Sequence, residues 1–167
     1  LFKLDVRNLQ YQLRSSVCWV DHLIGAWNRY GMYSKLHEEK ERLERLGHSC
    51  VICMMDLDHF KQINDNYDHR TGDLVLKSVV DFCRDSLRKY DSIYRYGGEE
   101  FLFVLPDAEQ GEVEVIIERL RSALASHAVT LHNGESPSVT ASFGMSTLST
   151  KISVVASPST AQPALSA

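Results

Sequence analysis

The chain has 167 residues, a formal net charge of −4 and 44% hydrophobic residues. This length suits one domain with its own core, and the composition is ordinary for a globular protein. The net negative charge argues against a general nucleic-acid or membrane-surface binder, but it leaves room for a local basic site for a small anion. No apolar run approaches the roughly 20 residues of a membrane span, and no signal-peptide pattern opens the sequence.

The first segment, residues 1–19, is predicted to be a helix because Leu9, Leu13 and Val17 recur at helical spacing. The pattern begins without a helix-start signal. We therefore expect residues 1–19 to be a linker helix that leads from an upstream regulatory region of a larger protein.

A loop over residues 21–28 and a helix from about Arg29 to Leu46 follow, and Gly47 ends the helix. The polar run HEEKERLER, residues 37–45, is typical of a solvated helix face. The continuous apolar run CVICMMDL, residues 50–57, indicates a central strand. Asp58 is then placed to cap a short helix through residues 59–65.

Two of the four cysteines form the pattern Cys50-x-x-Cys53, which could be half of a zinc site. No second pair at matching spacing accompanies it. In a strand, residues three positions apart face opposite sides, so we interpret both thiols as core residues. Free thiols suit a reducing cytoplasm.

The stretch SIYRYGGEEFLFVLP, residues 92–106, predicts a hairpin with one strand to Tyr96, a turn at Gly97-Gly98 and a second strand from Phe101 to Leu105. Helices are predicted on either side of it, over residues 71–89 and through residues 113–124, with a closing strand at about 138–145. The order α-β-α-α-β-β-α-β predicts an α/β sandwich with a largely antiparallel sheet backed by helices. Residues 149–167 are small, polar and proline-containing, which favours a disordered tail.

Acidic residues fall at two strand ends. Asp56 and Asp58 end the first central strand, and Glu99 and Glu100 follow the glycine turn. If the first strand of the hairpin or its turn lies beside the central strand, Asp56 and Glu99 approach each other. Converging carboxylates share a proton or bind a cation, and oxygen ligands without His or Cys favour Mg²⁺ or Mn²⁺.

A phosphate site is predicted beside these carboxylates. His59, Phe60 and Lys61 would form the first turn of the short helix, where free backbone amides and an ammonium group attract anions. Singly, Asp58 is most simply a cap and Lys61 a surface lysine. Together, the residues are better explained by metal-dependent phosphoryl chemistry, and the glycine pair would tolerate positive φ and let a nucleotide approach the backbone.

Three segments resemble one family. RYGGEEF, residues 95–101, is similar to the signature of GGDEF-domain diguanylate cyclases in its GGEEF form. DHLIGAWNR, residues 21–29, and DLDHFKQINDNYDHRTGD, residues 56–73, resemble two further motifs of that family in the same order. The resemblance spans roughly residues 20–146 and implies a palm-like, nucleotidyl-cyclase-like catalytic domain at 20–148.

The resemblance also implies residue roles. Asp56, Glu99 and the Leu57 carbonyl would bind Mg²⁺ or Mn²⁺, and Glu100 would support the site. The residues implied to bind the GTP substrate are Asn64 and Asp73 at the guanine edge, His59, Phe60 and Lys61 at the phosphates, and Gly97 and Gly98 at the turn. A dimer would join two GTP molecules into cyclic di-GMP and two pyrophosphates.

A second site is implied by RKYD, residues 88–91, which matches the family's RxxD product-inhibition motif. Arg88 and Asp91 would bind cyclic di-GMP, with Arg119 as a supporting arginine. The alternative is an i,i+3 salt bridge at a helix end. The expected setting is a cytoplasmic signalling domain under an upstream sensor domain, with any membrane tether upstream and with neither nucleic-acid nor membrane contact within this segment.

The sequence departs from the family pattern in three places. Ile24 replaces the Thr of the first motif and Ala26 its Leu, which is expected to affect packing of the linker more than chemistry. Asp68 stands where the family usually has Gly. After SFGMSTLS, residues 142–149, the family's final helix and strand cannot be recognised, so the C-terminal part of the domain is expected to be missing or altered. This departure leaves open a catalytically weakened domain that binds GTP or cyclic di-GMP as a receptor or interaction module; a different palm-type cyclase or polymerase fits the motifs less well.

Overall fold

The computed structural model describes residues 20–149 except His22, His132 and Asn133. The predicted linker helix at 1–19, and the predicted tail apart from Ser149, lie outside the described residues. The described elements, in chain order, are α1 (Arg29–Leu46), β1 (Cys50–Leu57), α2 (Phe60–Asn66), α3 (His69–Ser86), β2 (Ser92–Gly97), β3 (Glu100–Pro106), α4 (Gln110–Ala125) and β4 (Ala141–Thr147).

The predicted order of elements is confirmed. The strands form one sheet in the order β2-β3-β1-β4, and all three pairings are antiparallel. Strand β1 therefore lies inside the sheet, as its continuous apolar run predicted. The α/β class with an antiparallel sheet and flanking helices is confirmed.

The alternation of side chains along β1 divides the core into two layers. Val51, Cys53 and Met55 are buried against residues of α3 and α4, such as Val79 and Ile117. The intervening positions of β1 face a second cluster, which includes Met32 and Leu36 of α1. Helix α1 thus covers one face of the sheet, and α3 and α4 cover the other.

The cysteines of β1 follow this division, since Cys50 belongs to the α1 layer and Cys53 to the opposite one. Burial raises the pKa of Cys50, Cys53 and Cys83 to about 12. The interpretation of Cys50 and Cys53 as core thiols is confirmed, since the two lie in different layers of the core.

Both ends of α1 were predictable from sequence. The Asn28 side chain accepts hydrogen bonds from the backbone N–H groups of Tyr30 and Gly31, at 3.0 and 3.2 Å. Gly47 ends the helix at φ +69°, the left-handed region that glycine adopts without strain. No helix in the described ranges is long and apolar enough to cross a membrane.

Helix α3 is offset from its predicted range of 71–89. It begins at His69, because the Asp68 carboxylate accepts a hydrogen bond from the Thr71 N–H at 2.6 Å and caps the first turn. It ends at Ser86, before a turn in which the Arg88 N–H donates to the Asp91 carboxylate. The first shift follows from a side-chain cap, and at the second end a side chain bonds the backbone of the turn beyond the helix.

Candidate functional site

The acidic residues meet at one end of the neighbouring strands β1 and β3. Asp56 lies directly opposite Glu100 in the antiparallel register, and the Leu57 N–H donates to the Glu99 carbonyl at 3.3 Å. Facing residues of such a pair share a face, which places Asp56 and Glu100 on the α1 side of the sheet. The hairpin's second strand, not its first, is the neighbour of β1, and the residue of the hairpin opposite Asp56 is Glu100.

The hairpin turn is shifted by one residue from the prediction. Gly97 ends β2 and pairs with Glu100, so the turn consists of Gly98 and Glu99. Neither glycine has a φ in the left-handed region, so the turn does not use the positive φ that the pair was expected to tolerate. The pairing of β2 with β3 shifts register between Arg95 and Gly97.

Arg95 holds this turn in place. Its Nε and Nη2 atoms donate to the Gly98 carbonyl at 3.1 and 2.9 Å, and its Nη1 lies 2.8 Å from an oxygen of Asp21. Asp21 also accepts from the backbone N–H groups of Leu23 and Ile24. The sequence interpretation assigned no role to Arg95, although its place two residues before the glycine pair was a usable signal.

A second cation lies near the turn on the α1 face. The Arg29 guanidinium stacks over the Tyr96 ring at 4.8 Å from its centroid and donates to the Tyr33 hydroxyl at 3.4 Å. The hydrogen bond with Tyr33, aided by the Glu100 carboxylate, raises the pKa of Arg29. This arginine, also missed from sequence, adds positive charge beside Tyr96 and Glu100.

Asp58 does not cap the short helix as predicted. Its carboxylate accepts hydrogen bonds from Ser142 and Thr140 at 2.7 and 2.8 Å, which tie the end of β1 to the start of β4. These two bonds, that from Ser142 first, lower the pKa of Asp58. The sequence predicted that the Asp58 carboxylate caps the helix that follows it. It instead accepts hydrogen bonds from hydroxyl groups at the start of the adjacent strand.

His59 is the actual N-cap of α2, and it adopts φ +57°. Such a conformation is uncommon for a residue other than glycine and concentrates at functional turns. The turn leads into Phe60 and Lys61, whose position in the first turn of α2 leaves their amides without intrahelical acceptors. Lys61 is exposed, so the predicted phosphate contacts share one solvent-accessible turn.

One predicted guanine-binding residue, Asn64, lies where α2 packs on α3, next to the chain neighbour of the other, Asp73. A Cβ at Gly72 would lie 2.0 Å from Oδ1 of Asn64 and 3.2 Å from Cζ of Phe60. The Asn64 amide therefore rests on the backbone of α3 immediately before Asp73. Both side chains are partly buried, as a recognition site for a base edge requires.

The carboxylates at this end of the sheet do not form a complete protein cage for a cation. Within the described residues, no group of three or more His, Cys, Asp or Glu side chains is arranged to hold a metal ion. Mg²⁺ in nucleotide sites usually takes one or two carboxylates and completes its shell with water and phosphate oxygens. Asp56, Leu57 and Glu99 fit that kind of incomplete donor set.

The RxxD residues lie at the opposite end of β2, beside a cleft of about 250 Å³. The Asp91 carboxylate accepts the Arg88 backbone N–H at 2.8 Å, so the motif is built as a turn and not as the alternative side-chain salt bridge. Burial raises the pKa of Asp91. Arg88 and Asp91 line the cleft, whereas Arg119 is exposed on α4 and does not line it.

Comparison with known sequences identifies the family. The family described as "Diguanylate cyclase, GGDEF domain" matches residues 18–165. Diguanylate cyclase DgcP of Pseudomonas aeruginosa is 40% identical over 126 residues, which cover 75% of this chain and 18% of that protein. Diguanylate cyclase DgcS of Shewanella oneidensis is 36% identical over 123 residues, covering 72% of this chain and 40% of that protein.

Two solved structures of diguanylate cyclases also superpose on this chain. Diguanylate cyclase SiaD of Pseudomonas aeruginosa, solved with its activator SiaC, superposes with a TM-score of 0.77 at 35% identity, over 89% of this chain and 58% of that one. The coiled coil and GGDEF domain of DgcB from Caulobacter crescentus, solved with c-di-GMP, gives a TM-score of 0.78 at 25% identity, over 89% and 80% of the two chains.

The chain belongs to the GGDEF domain family of diguanylate cyclases. The palm-like fold implied by its motifs is confirmed. The chain spans less than half the length of these two curated relatives.

Proposed function

We propose that the chain is a diguanylate cyclase domain, which joins two GTP molecules into cyclic di-GMP and releases two pyrophosphates. The observation that carries the proposal is the register of β1 and β3, which brings Asp56 level with Glu100 and the Leu57 amide onto the Glu99 carbonyl. Two carboxylates and a backbone segment thereby converge at an exposed sheet end, in a chain of this family.

The guanine base would bind between α2 and α3. Asn64 offers an amide, and Asp73 offers a carboxylate that only accepts hydrogen bonds, which complements the N–H groups of the guanine edge. The position of Asn64 against Gly72 supports this assignment, because Gly72 immediately precedes Asp73 in α3.

The triphosphate would lie along the turn after β1. The amides of His59 and Phe60 donate to its oxygens, and Lys61 supplies a positive charge. The left-handed conformation of His59 supports this role, since it turns the backbone into α2 without a side-chain cap. Gly97 and Gly98 keep the opposite side of the site free of side-chain bulk.

Asp56, Glu99 and the Leu57 carbonyl would hold Mg²⁺ or Mn²⁺, with Glu100 supporting them. When bound, the metal neutralises charge that develops on the phosphate oxygens and lowers the pKa of the attacking hydroxyl. In each step a 3′-oxygen of one GTP forms a bond to the α-phosphorus of the other, and the bond to pyrophosphate breaks. Since each subunit holds one GTP, the active form is a homodimer.

Cyclic di-GMP would also act as an inhibitor at Arg88 and Asp91, with Arg119 contributing from outside the cleft described above. The arrangement of the motif supports this, because the backbone N–H of Arg88, and not its guanidinium, donates to the Asp91 carboxylate. We place the domain in the cytoplasm as the output of a signalling protein, under a sensor domain upstream.

A second candidate function is a weakened domain that binds GTP or cyclic di-GMP without turnover. The cleft at Arg88 favours this function, because none of the residues that line it belongs to the hairpin turn of Gly98 and Glu99. The cleft could therefore bind a ligand in a domain that has lost catalysis.

The test compares Glu99→Gln with the parent chain. The variant keeps the size of the side chain but removes the charge, so it should abolish formation of cyclic di-GMP and weaken Mg²⁺ binding. Glu44→Gln, at an exposed position of α1, is the matched control and should behave like the parent. Parent-level turnover by Glu99→Gln would refute the metal assignment.

A further inference from the structure

The cleft beside the RxxD turn is also lined by residues outside that motif. Trp27 lines it together with Arg84, Arg88, Lys89 and Asp91. The cleft lies at the start of β2, and the hairpin turn of Gly98 and Glu99 follows the end of that strand. At about 3.3 Å per residue the two ends of the strand are roughly 17 Å apart, so the cleft is separate from the candidate catalytic site.

The charge of the cleft selects an anion. Among the described residues that line the cleft, three are cationic and one, Asp91, carries a carboxylate, in a chain whose net charge is −4. Asp91 is occupied on one oxygen by the Arg88 N–H. The other oxygen can accept from a ligand, while the Arg88 guanidinium can donate to a phosphate or to a base edge.

The position of Trp27 is fixed by its backbone. Its N–H donates to the Ile93 carbonyl at 3.4 Å, and its carbonyl accepts from the Arg95 N–H at 2.7 Å. Arg84 holds the same loop through the Gly25 carbonyl at 2.8 Å. The backbone is therefore pinned to β2 and α3.

The side chain of Trp27 nevertheless stays 43% exposed. A large aromatic ring held at the edge of a cationic cleft, and not used by the core, has the properties of a stacking platform for a nucleobase.

We propose that Trp27 stacks on one guanine base of cyclic di-GMP, while Arg88 and Asp91 hold the adjoining phosphate and the base edge. This rests on the proposed product site and adds to it the residue that recognises the base face. The volume of about 250 Å³ lies below the roughly 300–1,000 Å³ of pockets for drug-sized ligands. We expect the cleft to take one base with its phosphate, so that the rest of the dinucleotide lies outside.

Two measurements on the full chain test the inference. The first is calorimetric titration of cyclic di-GMP into the parent, Trp27→Ala, Trp27→Phe and Arg88→Ala. Removing a base-stacking ring should weaken binding by roughly 5- to 150-fold, and Phe should restore most of the affinity. Leu23→Ala is the matched control, because Leu23 is an exposed apolar residue of the same loop that does not line the cleft; it should bind like the parent.

The second measurement is fluorescence. The chain has two tryptophans, so Trp27 is the only one left in Trp19→Phe. Cyclic di-GMP should quench its emission, and Trp19→Phe with Arg88→Ala should show no quenching. This readout still decides the question if Trp27→Ala fails to show a cooperative melt.

The outcomes separate the two proposals. Parent-like binding by Trp27→Ala, or binding without quenching, would overturn the stacking role. Loss of binding in Arg88→Ala would still support the product site in that case. Absence of binding by the folded parent, or full binding by Arg88→Ala, would overturn the product site and the stacking role with it. Cyclase activity is measured separately and depends on neither result.

Discussion

Gly72 is the residue whose substitution tests the guanine site most cleanly. A methyl group there would lie 2.0 Å from the Asn64 amide oxygen, so the amide must move while the backbone need not. Gly72→Ala should therefore raise the KM for GTP, by roughly tenfold if one hydrogen bond to the base is lost. Steady-state kinetics measure this, and thermal melting checks that the fold is retained.

Gly111→Ala is the matched control for that substitution. Gly111 also lies in a helix, and a Cβ there would meet nothing within 4 Å. It should leave the KM unchanged and add slightly to stability, because alanine favours helix. An unchanged KM in Gly72→Ala would contradict the assignment of Asn64 to the base.

The candidate site also shows which residue roles a sequence discloses. Capping by Asn28 and Gly47 is local, so chain order predicts it. Asp58 had the same local signal, yet it binds Ser142 and Thr140, more than 80 positions away in the chain. A competing partner brought by the fold cannot be seen in a single sequence.

The hairpin β2–β3 is positioned by one side chain. Arg95 connects the Gly98 carbonyl in the turn to Asp21 in the N-terminal loop. Lysine keeps the charge but cannot make the forked contact, so Arg95→Lys should loosen the turn that carries Glu99. Because small displacements of reacting groups strongly lower the reaction rate, we expect turnover to fall roughly 10- to 100-fold.

Arg121→Lys provides the comparison for this element. Arg121 makes a similar forked contact to Glu118 on the exposed side of α4, and its replacement should not alter turnover. Equal, small effects in the two variants would show that the Arg95 contact is only structural. The turn itself was predicted one residue too early, since the register shift between Arg95 and Gly97 leaves no mark in the apolar pattern.

Helix α1 shows a related limit at the scale of an element. Its polar run was predicted to be a solvated face, yet Glu39 is only 2% exposed. Lys35 contacts its carboxylate at 2.7 Å and Arg42 at 3.2 Å. The buried charge of Glu39 is tolerated because both cationic partners lie about one turn away on the same helix. The alternation of charges in the sequence does not show that this glutamate is buried.

For the whole molecule, the order of elements and the antiparallel sheet followed from apolar periodicity, since each element buries one face. The pairing of strands did not, because Asp56 and Glu100 meet through a register between segments 44 positions apart. Sequence motifs therefore located the chemistry, and the sheet determined which carboxylates face each other. The predicted roles of the remaining site residues stay predictions.

The central claim is that this end of the sheet converts GTP to cyclic di-GMP with the help of a divalent metal. The most direct measurement incubates the purified 167-residue chain, shown to be folded by a cooperative melt, with GTP in the presence and absence of Mg²⁺ and separates the products by chromatography. The account predicts cyclic di-GMP and pyrophosphate only when Mg²⁺ is present. A folded chain that binds GTP and Mg²⁺ but forms no cyclic di-GMP would contradict it and favour the binding module.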